Sequence, residues 1–87
     1  MLFLIASAPD TKEFKTALRT ASEMNGEVCL LQNAVYASRN SASSNFYVMR
    51  DDAMLRGITD DQLSGKPIDY GELVDLMTNS DKVVGLL

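Results

Sequence analysis

The 87-residue chain contains no histidine and no tryptophan, one cysteine and two prolines. Without histidine there is no Ser-His-Asp or Cys-His couple, and the commonest ligand of a transition metal is missing. A single cysteine cannot form an intrachain disulfide, which fits a reducing compartment. Basic residues are few and scattered, 8 Lys and Arg against 12 Asp and Glu, for a net charge of −4. A nucleic-acid backbone calls for a concentrated basic face, and an anionic membrane for a polybasic segment. Neither partner is expected. No apolar run approaches the roughly 20 residues that span a bilayer. Met1 to Ala8 is apolar but lacks the basic start of a leader, so it reads as a first core strand and the expected location is cytoplasmic. After that strand, Ala6-Ser7-Ala8-Pro9-Asp10 lacks the glycines of a phosphate-cradling loop. No cofactor and no metal is expected.

What remains is ordinary globular material, 46% hydrophobic and 23% charged. The length suits one domain over residues 1–87, small enough that self-association or a partner subunit is expected. Residues 2–6 form a continuous apolar run, as in a parallel strand covered on both faces. Asp10 and Glu13 have the spacing of a capping box. Phe14, Ala17, Leu18, Ala21 and Met24 then recur at helical period, and Asn25-Gly26 supplies a left-handed stop. A second strand, about Val28 to Leu31, follows. Asn33 is the expected cap of a short segment through Ala37. Ser38 to Asn45 reads as a surface loop, and Phe46 to Met49 as a third strand. Asp51 or Asp52 would cap a short helix ended by Gly57, and Thr59 to Gln62 is a weaker capping signature. Ser64-Gly65-Lys66-Pro67 reads as a turn. Asp69 and Glu72 box the start of a last helix whose buried stripe would be Tyr70, Leu73, Val74 and Met77. Val83 to Leu86 is a fourth strand. This pattern predicts a three-layer α/β/α fold with a four-stranded parallel sheet in the order 2-1-3-4, since the first strand is the most apolar and should be internal.

In open parallel sheets, ligands and partners meet the protein beyond the carboxyl ends of the strands. That places Gln32, Asn33 and Tyr36 after the second strand, and Arg50, Asp51 and Arg56 after the third, on one candidate groove or interface. Tyr and Arg are enriched in binding hot spots. Cys29 is the sole candidate nucleophile, but it sits between Val28 and Leu30 within an expected buried strand, where free cysteine commonly serves as a small hydrophobe. Asp51-Asp52 and Asp60-Asp61 stand at helix starts, where capping accounts for them without a cation.

These residues together resemble the DsrE/DsrF/DsrH superfamily, and within it the DsrH or TusB-like branch of small sulfur-relay proteins. Val28-Cys29-Leu30-Leu31-Gln32-Asn33-Ala34-Val35-Tyr36-Ala37 is similar to the branch's apolar strand, polar pair and V/I-Y-A segment. Val48-Met49-Arg50-Asp51-Asp52 with Arg56-Gly57, the helix from Ile68 to Leu76, and Asp81-Lys82-Val83-Val84 extend the likeness. The resemblance implies hexamers of three related subunits that pass persulfide sulfur along cysteines. The sulfur goes to tRNA wobble uridine or enters dissimilatory sulfur oxidation. Some DsrH members carry a cysteine early in the first helix. The matching position here is Ala17, and Cys29 falls on no sulfur-carrying position. The resemblance therefore implies a non-catalytic subunit. It would form a hetero-oligomer with DsrE/DsrF-like (TusD/TusC-like) subunits, or a homo-oligomer. Two other readings stay open: a persulfide carrier using Cys29, and a stand-alone homodimer that binds a small ligand.

Overall fold

A computed structural model describes residues 1–40 and 46–86. Five parallel strands form one sheet: β1 (Leu2–Ile5), β2 (Glu27–Leu30), β3 (Phe46–Met49), β4 (Lys66–Ile68) and β5 (Val83–Leu86). Their order is β4-β3-β2-β1-β5. The helices are α1 (Lys12–Glu23), α2 (Ala37–Asn40), α3 (Arg50–Leu55) and α4 (Tyr70–Asn79), with 3₁₀ turns at Gln32–Tyr36 and Asp60–Gln62.

Strand pleating sorts the core into two clusters. Phe3, Ile5, Val28, Leu30 and Val48 point to one face and pack against Phe14, Ala17 and Ala21 of α1, Ala34 and Val35 of the first 3₁₀ turn, and Ala53 of α3. Leu2, Cys29, Met49 and Ile68 point to the other face, under Leu73 of α4. The layers are therefore unequal. One face carries α1, α2 and α3, and among the described residues the other carries α4 alone.

Four expectations about strands and layers need correction. The sheet has five strands rather than four, because Lys66–Ile68 pairs with β3 (Tyr47↔Lys66, Met49↔Ile68) instead of forming only a turn. Pro67 is compatible with this because β4 is an edge strand. The order is also different. β1 is internal, but β3 pairs with β2 rather than with β1. From β1 to β4 each connection, α1 included, delivers the chain to the neighbouring strand, and only the connection through α4 carries it back across the sheet to β5. Third, α4 buries Leu73 alone, whereas Tyr70, Val74 and Met77 are 69%, 46% and 39% exposed. A lone helix on that face has no neighbour to cover its flank. Fourth, Ser38–Asn40 belongs to α2 rather than to a loop. Residues 41–45 of that expected loop lie outside the described residues.

The helix caps follow local chemistry. Thr11, not Asp10, caps α1, its hydroxyl oxygen accepting from the Phe14 N–H at 3.2 Å. At α4 the expected box is present: Asp69 accepts from Glu72 N–H at 2.7 Å, and Glu72 accepts from Asp69 N–H at 3.2 Å. Asn25, at φ 53°, turns the chain after α1 into β2. Gly26 follows because nothing larger fits: a Cβ there would lie 2.3 Å from the buried Phe3 ring. Substituting Gly26→Ala should cost about 1–3 kcal/mol through overpacking, read as a lower urea midpoint with an unchanged slope. A neutral result would mean that Phe3 can move.

Candidate functional site

The carboxyl ends of β2 and β3 lie side by side, and the chain leaves β2 through a left-handed residue. Leu31 remains extended, and Gln32 then takes φ 49°. That conformation is uncommon for a side chain with a Cβ. It aims the Gln32 N–H at α3, where Asp52 Oδ2 accepts it at 2.7 Å. Asn33 is not a helix cap. It lies within the 3₁₀ turn, and its Oδ1 accepts from Arg56 Nε at 3.1 Å. Arg56 also donates from Nη1 to the Asp52 carbonyl oxygen at 2.9 Å. Gln32, Asn33, Asp52 and Arg56 thus form one closed network that ties the exit of β2 to α3. The network itself leaves the Asn33 amide nitrogen and Arg56 Nη2 unused.

Three other candidates stand apart from this network. Arg50 opens α3, and its Nε lies 3.2 Å from Asp60 Oδ2, half-exposed. The Nε–H is not directed at the carboxylate, so this is an ion pair rather than a hydrogen bond. Asp51, in the first turn of α3, borders an exposed apolar patch with Met54 and Leu55. Neither Asp51 nor Asp52 caps α3, whose N-cap is Met49 with no side-chain bond. Tyr36 lines an open, mainly apolar groove of about 550 Å³ with Ala8, Pro9, Phe14, Leu18 and Phe46. The expected single surface is therefore four features: a polar network, an ion pair, a charged apolar patch and a groove.

Asp52 was not singled out as a site residue, yet it organises the network. No local signal reveals this, because its partner Gln32 is 20 positions earlier in sequence. The acidic pairs hold no metal-binding constellation: among the described residues, no group of three or more His, Cys, Asp or Glu side chains could hold an ion.

Cys29 is fully buried beneath α4. Burial, with a smaller contribution from the Asp52 charge, pushes its thiol up to about 12. Both effects disfavour the thiolate, the reactive form. Ala17, in the position where the resemblance would place a cysteine, is also buried, on the sheet-facing side of α1.

The family described as DsrH like protein matches residues 6–83 of this chain. Among solved structures, the solution NMR structure of protein Tm0979 from Thermotoga maritima is similar, with a TM-score of 0.72 and 24% identity over 94% of this chain and 97% of that one. That likeness shows the fold: a parallel α/β sheet flanked by helices. No curated protein matches. No helix among the described residues is long and apolar enough to cross a membrane.

If Asp52 holds the exit of β2 in place, Asp52→Ala should cost about 1–2 kcal/mol, the worth of a hydrogen bond to a charged acceptor that is partly exposed. Asp52→Asn, which keeps an acceptor, should recover most of it. Equal losses for both substitutions in urea titrations would assign the effect to charge alone.

Proposed function

This chain belongs to the DsrH-like family, and from that premise we propose that it is a non-catalytic subunit of a sulfur-relay complex. It would act in the cytoplasm by contacting cysteine-bearing relatives of the DsrE/DsrF (TusD/TusC-like) kind. The observation that carries this reading is the state of Cys29. With its thiol at about 12, roughly one molecule in 10⁵ would be thiolate at pH 7. A relay cysteine must repeatedly attack and release sulfur, and a fully buried thiol at the centre of a sheet is poorly suited to either step. The Asn33–Arg56 pair, Arg50, Asp51 and Tyr36 are the contact residues we assign to this role. They lie beyond the strand ends or beside the exits, where a partner's sulfur-bearing loop can approach without displacing core side chains. The tRNA or sulfur-oxidation end of the pathway depends on that partner.

A second reading draws on one observation, the 550 Å³ groove beside Tyr36. Its size and apolar lining suit a small ligand. Native mass spectra retaining a small molecule, lost on Tyr36→Ala, would support it over the relay reading.

The relay reading and the burial of Cys29 lead to three expectations. Mixed at micromolar concentration with cysteine-bearing relatives from its own host, the protein should form a complex of defined stoichiometry, weakened at least tenfold by Arg56→Ala. Absence of any complex would end the proposal. Iodoacetamide should label Cys29 only as fast as the protein unfolds. The folded thiol ionises at about 12, against 9.0 ordinarily, so its contribution to stability is complete below about pH 9 and is lost as pH rises towards 12. Cys29→Ala should flatten that alkaline decline. Rapid labelling at neutral pH would revive the carrier reading.

A further inference from the structure

Of the three Phe and three Tyr in the chain, Phe14, Tyr36 and Phe46 line one groove, the open recess of about 550 Å³ described above. They reach it from three separate elements: Phe14 from the start of α1, Tyr36 from the end of the first 3₁₀ turn, and Phe46 from the start of β3. Phe14 is only 5% exposed and Phe46 is half-buried, so packing holds both rings in place. Tyr36, at 37% exposure, is the most open of the three.

One charged residue joins the rings. Asp10 lines the same groove, and among the described residues no lysine or arginine does. The capping role expected of Asp10 belongs to Thr11, and among the described residues Asp10 enters no ion pair. Its carboxylate is exposed, and neither helix capping nor charge pairing there accounts for it. We propose that the groove binds a small molecule carrying an alkylated ammonium group, with the rings against the cation and Asp10 balancing its charge. This rests on the second reading above, that the groove takes a small ligand, and names the class of that ligand.

The lining selects this class over the other simple ones. An anionic ligand would bring its charge against Asp10 with no base in the lining to meet it. A neutral apolar ligand would satisfy the rings but take water from the carboxylate without replacing it. A bare ammonium or metal ion keeps its hydration shell, which a mainly apolar wall does not reproduce. An alkylated ammonium meets both halves of the lining. Its methyl groups are apolar enough to lie against aromatic rings, and its charge is attracted both by the ring faces and by the carboxylate. The groove is also large enough to take the rest of such a molecule.

Choline is the probe, because its neutral carbon isostere, dimethylbutanol, has the same shape without the charge. Both compounds are titrated into the purified chain and followed through the amide resonances of Ala8, Asp10, Tyr36 and Ala37. Choline should shift these resonances and bind about tenfold more tightly than the isostere. Asp10→Asn removes the charge at constant size, and Tyr36→Leu keeps an apolar wall without the ring. Each should weaken choline binding about fivefold and leave that of the isostere within about twofold. Neither side chain belongs to the buried core, so both variants should keep the dispersed spectrum of the folded chain. Should Tyr36→Leu fail to fold, Asp10→Asn decides. Equal binding of choline and the isostere would overturn the ammonium assignment and leave the small-ligand reading intact. Choline binding that ignores both substitutions, or shifts confined to residues outside the groove, would overturn it as well. So would failure of choline to bind at tens of millimolar, and the native mass spectra described above then judge the small-ligand reading separately.

Discussion

The burial of β2 is the constraint on which the rest of the structure depends. It is the middle strand of five, and its Val28, Cys29 and Leu30 are all inaccessible. Val28 and Leu30 are covered by the layer that holds α1 and α3, and Cys29 by α4. Because both faces are closed, nothing ionisable can sit there at low cost. The same packing that fixes the fold therefore silences the chain's one thiol. Polar side chains gather instead where the strand runs out, and there the backbone takes the unusual turn at Gln32.

How much of this was readable from residues alone varied with the range of the interactions involved. β1, α1 and β2 were legible because apolar runs, helical period and the Asn25-Gly26 stop act within a few positions. So was the Asp69–Glu72 box. β4 was not, because a strand of three residues with a central proline has no period to detect, and its partner is β3. The order of the strands is hidden for a related reason. Hydrophobicity shows that β1 is internal without saying what lies on either side of it. The exposure of the α4 stripe is not legible because period 3.6 reports an apolar face, not whether a neighbouring layer exists to cover it.

The site shows the same division. The carboxyl ends of β2 and β3 could be located from strand positions, and Asn33 and Arg56 do meet. Their pairing, and the part played by Asp52, arise from hydrogen bonds spanning 20 and 23 positions, which no local pattern encodes. Arg50 and Asp51 are successive residues of a helical turn and point in different directions, and Tyr36 lies on the earlier 3₁₀ turn, so the three serve separate features.

One feature of the sheet bears on how the chain acquires its structure. β1, at the start of the chain, is completed by β5 near residue 86, with Leu2 beside Val83. Contacts of such long sequence separation raise the contact order and slow folding. As the chain is synthesised, β1 can pair with β2 early, but its other side waits unpaired until residues 83–86 have been made. An apolar strand edge is therefore open while the intervening residues 6–82 are being made. Final closure of the sheet is a late step, and a window for mispairing between neighbouring nascent chains.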